Sequence, residues 1–72
     1  MLAIAERLKE LRLNFGCTQK QIADAINVSP VSVQRFEYGT VRPSIDTLVA
    51  LADYFDVSLD YLVGRSDVQE RR

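Results

Sequence analysis

The residues of this 72-residue chain that could make or break bonds are few, and their spacing defeats each familiar use. Cys17 is the one thiol and the chain has no histidine, so a cysteine nucleophile would lack an imidazole base. Neither a Ser-His-acid triad nor a Cys/His zinc cluster can be assembled, and a single cysteine forms no internal disulfide. Cys17 is expected as a small, partly exposed residue just ahead of a helix. Asp53 and Asp56 stand three apart, but a solvated helix end accounts for them more simply than general acid-base work. No Gly-rich phosphate loop or nucleotide signature occurs, so no cofactor is expected. What remains is hydroxyl, carboxamide and guanidinium groups, which suit recognition more than bond-making.

Those groups need a scaffold, and the apolar pattern supplies one that is helical throughout. Ile4, Leu8, Leu11 and Phe15 recur at spacings of four, three and four, which predicts a first helix over about 2–14 closed by Gly16. Thr18 and Gln21 form a capping box for a second helix over about 19–26, with Asn27 tolerated at positive φ in the turn after it. Ser29 followed by Pro30 reads as a cap and first helical residue, starting a third helix over about 30–37 that Gly39 stops. On it Val33 and Phe36 point inward. Ser44 caps a fourth helix over about 45–55, and Ser58 a short fifth one that Gly64 closes.

Five helices this short are stable only by pooling their apolar faces. The expected core is Ile4, Leu8, Leu11, Phe15, Ile22, Ala23, Ile26, Val28, Val33, Phe36, Leu48, Leu51, Ala52, Phe55, Val57, Leu59 and Leu62. Residues 1–64 should form one domain, and residues 65–72 a polar, frayed tail or the start of a linker. Charge appears at Glu6 and Arg7, too early for a signal-peptide apolar region, and no run is long enough to cross a bilayer. The expected compartment is the cytoplasm.

The formal charge is only −1, but it is unevenly spread. Residues 1–43 hold six basic and four acidic groups, net +2, and residues 44–72 hold three basic and six acidic groups, net −3. A polyanion should therefore approach from the N-terminal two-thirds.

The run TQKQIADAINVSPVSVQRFEYG, followed by RPSIDTLVALADYFDVSLDYLVG, resembles the helix-turn-helix domain of lambda and 434 repressors, Cro proteins and Xre-type bacterial regulators. The resemblance rests on Thr18-Gln19, Ala23, Asn27-Val28-Ser29, Gln34-Arg35-Phe36-Glu37, Gly39, Pro43-Ser44, Leu48 to Leu51 and Val57 to Leu62. It spans about residues 4–64 and implies a compact all-α, five-helix repressor-like domain whose second and third helices form the motif.

Several roles follow from that resemblance. Base or groove contacts fall at Gln19, Pro30, Val31, Ser32, Gln34 and Arg35. Relatives often have polar residues, frequently glutamine, where Pro30 and Val31 stand, so Val31 is expected against a thymine methyl, with Arg35 on a guanine or the backbone. Phosphate contacts are expected from Thr18, Gln19, Lys20 and Arg42. Arg12 and Glu37 match a family pair that locks the reading helix, so Glu37 is no base reader. The implied activity is sequence-specific binding of double-stranded DNA, with a repressor that occludes a promoter by binding a palindromic operator as a homodimer. Exposed parts of Tyr54, Leu59, Tyr61 and Val63 could supply the dimer contact. The competing reading is a protein-interaction module, such as the antitoxin of a toxin-antitoxin pair. A toxin would then be the protein partner, polymerase the one for a DNA-bound activator, and no membrane is involved.

Overall fold

A computed structural model describes residues 3–70. Five α-helices follow one another: α1 Ile4–Phe15, α2 Gln19–Ile26, α3 Pro30–Tyr38, α4 Ile45–Phe55 and α5 Leu59–Leu62. The expected start of the first helix at residue 2 lies outside the described residues.

Helices α2 to α5 each start on a hydroxyl residue in extended conformation. The side chains of Thr18, Ser29, Ser44 and Ser58 accept from the amides of Gln21, Ser32, Thr47 and Tyr61. Each satisfies a first-turn amide that the helix itself leaves unpaired. Helix α1 differs, because Ala3 has no capping group; its own amide instead donates to the Val63 carbonyl at 3.0 Å. This bond stitches the beginning of α1 to the end of α5. Gly64, at φ +87°, lies so close that an added Cβ would meet the Ala3 Cβ at 2.8 Å.

One core gathers all five helices. Leu8, Ile22, Ala23, Val33, Leu51 and Leu62 are fully enclosed, and Leu11, Phe36, Ala52, Phe55, Val57 and Tyr61 nearly so. Ile26, Val28 and Leu48 pack against this cluster while partly exposed. Ile4 is buried as well, and two expected core residues are exposed instead. Phe15 is 53% exposed: as the last residue of α1 it lies over the surface, its ring meeting buried Phe55 edge-on at 5.1 Å. Leu59 is 42% exposed, because α5 is a single turn whose inward side is already filled by Tyr61 and Leu62.

Burial of Tyr61 also removes it from any exposed dimer contact. The Arg7 guanidinium stacks over its ring at 4.2 Å, and the Gln69 carboxamide donates to its hydroxyl at 3.1 Å.

Over residues 65–70 the polar segment after Gly64 is tied back to the domain by polar contacts. Arg7 Nη2 pairs with Asp67 at 2.7 Å, the Ser58 amide donates to the Gln69 carbonyl, and the Ser58 hydroxyl donates to that of Val68. The amides of Arg65 and Ser66 both donate to the Asp60 carbonyl. Polar bonding, not apolar burial, holds this stretch on α5.

Candidate nucleic-acid interface

The geometry of the candidate site begins at the turn between α2 and α3. Asn27 takes φ 62° and ψ 47°, which reverses the chain at once, and the Val28 amide donates back to the Ala23 carbonyl at 3.0 Å. Ser29 then caps α3 and Pro30 occupies its first position, where the missing amide hydrogen is not needed. The result sets two short helices at a fixed angle around Ile22, Ala23 and Val33, all of them buried.

Helix α3 packs chiefly on α2 and α1. Val33 and Phe36 point into the core, and the opposite face is open: Pro30, Val31, Gln34 and Arg35 are exposed, with Val31 half so, and Ser32 is partly exposed. The Ser32 hydroxyl stands 2.9 Å from that of Ser29, so it is held by the cap. No part of α4 or α5 makes an extensive contact with α3 among the described residues.

A polar lock fixes the far end of α3. Arg12 grips Glu37 with two nitrogens, Nε to Oε2 at 2.6 Å and Nη2 to Oε1 at 3.0 Å. Its remaining nitrogen, Nη1, donates to the Cys17 carbonyl at 3.2 Å. Gln19 Nε2 donates to Glu37 Oε1 at 3.2 Å. The Glu37 side chain is only 3% exposed, yet its charge is met by a guanidinium and a carboxamide. Hydrogen bonding to Glu37 raises the Arg12 pKa above its already high value, against the opposing effect of partial burial. Three helices therefore meet on one carboxylate, and Glu37 cannot reach out to a base.

The expected phosphate-facing groups flank this reading face. Thr18 and Gln21 complete the capping box, amide to side chain in both directions, at 2.9 and 3.0 Å. Lys20 is exposed and shares its charge loosely with Asp24 at 3.8 Å. Arg35 and Arg42 are exposed and, among the described residues, have no ion-pair partner.

The contact of Gln19 with Glu37 escaped the sequence reading, which gave Gln19 to the groove and to a phosphate. Tyr38 and Val41, exposed apolar residues ahead of Arg42 in the chain, are also absent from that reading, whereas Ile45, in line with Leu48, Ala52 and Phe55 on α4, is 77% exposed at its first position.

The sequence profile of the helix-turn-helix family matches residues 8–62. The chain belongs to that family. Within it, this helix-turn-helix domain is of the repressor, Cro and Xre type, whose features it carries at the positions described above. It is 34% identical over 70 residues to the transcriptional regulator ImmR of Bacillus subtilis, covering 97% of this chain and 55% of ImmR. The chain thus spans little more than half the length of that relative.

Among solved structures, a transcriptional regulator from Listeria innocua superimposes with a TM-score of 0.85 at 38% identity, covering 89% of this chain and 60% of that one. The P22 c2 repressor, solved in complex with a synthetic operator, does so with a TM-score of 0.82 at 25% identity, covering 88% and 96%. Both the Bacillus and the Listeria proteins that it resembles are described as transcriptional regulators. No group of three or more His, Cys, Asp or Glu among the described residues could hold a metal. No described helix is long and apolar enough to cross a membrane.

Proposed function

We propose that this domain binds double-stranded DNA sequence-specifically by laying α3 in the major groove, as part of a cytoplasmic transcriptional regulator. The observation that carries the reading is the exposed outer face of α3, anchored from behind by Val33 and Phe36 and locked at its end through Glu37. The major groove admits one helix and distinguishes base pairs by hydrogen bonds and the thymine methyl. Val31 then packs on a thymine methyl beside Pro30, Ser32 and Gln34 meet the groove, and Arg35 addresses a guanine. Thr18, Gln19, Lys20 and Arg42 hold phosphates on either side, where contacts set register without reading sequence. Gln19 has a second amide hydrogen to offer while the first stays on Glu37.

One α3 spans too few base pairs to specify a site in a genome. The domain therefore acts as a homodimer on a palindromic operator, its two reading helices about 34 Å apart. The repressor bound in the related P22 c2 complex supports occlusion of a promoter as the mode of action. Selection of bound sequences from random duplex DNA tests the proposal. A palindromic consensus should emerge, and Val31→Ala and Arg35→Ala should each relax it at a separate position. Recovery of no enriched sequence would turn the reading toward a protein-interaction module, such as an antitoxin.

A further inference from the structure

One large side chain of α3 serves neither the core nor the polar lock. Tyr38, the last residue of the helix, is 70% exposed. Among the described residues its hydroxyl has no hydrogen-bond partner, and neither a cation nor another ring stacks on it. A lone exposed tyrosine needs no explanation, but the place of this one is specific. It follows Val31 by seven residues, so it stands on the line of α3 that Val31, Gln34 and Arg35 occupy, about 10 Å further along the helix axis than Val31. The loop that comes next is held beside it. Gly39 turns the chain at φ 78°, the amide and the hydroxyl of Thr40 both donate to the Arg35 carbonyl at 3.2 and 3.3 Å, and Pro43 is buried. Between those two anchors, Val41 and Arg42 are exposed close to the end of α3.

We infer that Tyr38 is a further contact to the DNA duplex, made to the sugar-phosphate backbone at the edge of the groove and reading no base. The inference rests on the proposed docking of α3. In such docking the first residues of the reading helix meet base edges, and its far end lies nearest the backbone. Arg35 and Arg42, on either side of Tyr38 in the chain, have no ion-pair partner among the described residues, so the occupant of this place is a polyanion. A phenol suits a backbone strand in two ways: its ring covers deoxyribose carbons, and its hydroxyl donates to a phosphate oxygen. Val41 adds a smaller apolar contact to the same strand. Neither side chain carries charge, so the contact releases no counterion and differs from that of Arg42 in its response to salt.

Fluorescence anisotropy tests it at several salt concentrations, with the full chain titrated into a labelled duplex carrying the selected consensus and into one with that sequence scrambled. Tyr38→Ala should weaken binding to both by about tenfold, with the circular dichroism spectrum unchanged. The slope of log K against log salt should stay that of the unaltered chain, whereas Arg42→Ala should reduce it by about one. Tyr38→Phe should keep most of the affinity, and the consensus selected by Tyr38→Ala should be the same. A direct readout comes from the tyrosines themselves, which are 70%, 37% and 7% exposed at Tyr38, Tyr54 and Tyr61. Tetranitromethane should nitrate Tyr38 first, and bound duplex should protect Tyr38 but not Tyr54. Unchanged affinity of Tyr38→Ala, a salt slope reduced as by Arg42→Ala, an altered consensus, or nitration of Tyr38 undiminished by duplex would each overturn the inference and leave the reading role of α3 standing. A chain that enriches no sequence and binds neither duplex fails at that reading, and the inference falls with it.

Discussion

Arg12 Nε lies 2.6 Å from Glu37 Oε2, joining the last turn of α1 to the last turn of the reading helix across 25 residues of sequence. The pair is nearly covered, at 16% and 3% exposure of the two side chains. Removing one partner from such a pair leaves a buried charge unmet, at a cost of about 3 kcal/mol or more, while replacing both by apolar groups is close to neutral. Arg12→Met alone should therefore lower unfolding free energy by about 3 kcal/mol in urea. Adding Glu37→Leu should restore most of it.

On the reading face the expected losses divide by mechanism. Arg35→Ala should cost about 1 to 3 kcal/mol on the preferred site and relax one base position. Val31→Ala should blunt preference for thymine at one step and leave binding to unrelated duplexes unchanged. Electrophoretic mobility shifts on single-base variants of the selected site would separate the two.

In the proposed function Lys20 contributes charge without reading sequence. Lys20→Ala should weaken every duplex alike and reduce the salt slope of log K by about one. Asp24 stands 3.8 Å from the Lys20 ammonium, so Asp24→Asn should shift affinity the other way, strengthening binding to all duplexes. Titrations at several salt concentrations measure both.

The turn residue Asn27 holds φ 62°, where a Cβ is penalised by about 1 to 2 kcal/mol in most residues. Asn27→Ala should destabilise the domain by about 1 kcal/mol, and Asn27→Gly should not. Thermal melts followed by circular dichroism decide it.

The Cys17 thiol and the Tyr54 hydroxyl lie 3.4 Å apart, and this contact holds the Tyr54 phenol above its ordinary value of 10.0. A raised native pKa means that the folded state favours the neutral phenol. The contribution is present below about pH 10 and is lost as pH rises through the folded value. Absorbance titration should show Tyr54 ionising late, and Cys17→Ala should bring its midpoint back toward the ordinary value.

Much of this architecture was readable from local chemistry. The capping hydroxyls, the proline after Ser29 and the left-handed turn at Asn27 act within a few residues of themselves. Accordingly the bounds of α2 and α4 match expectation to the residue. Periodicity gave the direction of each face but not the place where the core ends. That is why Phe15, on the right stripe but at the last position of α1, lies on the surface. Leu59 sits in a helix of one turn, too short for a period to define a side. Least legible were the polar ties between distant residues: Arg7 with Asp67, Ser58 with Gln69, Gln19 with Glu37. Nothing in the identity of a surface arginine says which carboxylate, sixty residues on, will face it.

The bond from the Ala3 amide to the Val63 carbonyl bears on where this module can be trimmed. The family profile stops at residue 62, one short of the acceptor that stands in for the missing cap of α1. A fragment cut at that boundary would keep every residue of the motif and still leave its opening helix to unravel from the front, loosening Arg12 and with it the grip on α3. The working unit is set by a closing clasp, and it is longer than the signature by which its relatives are known.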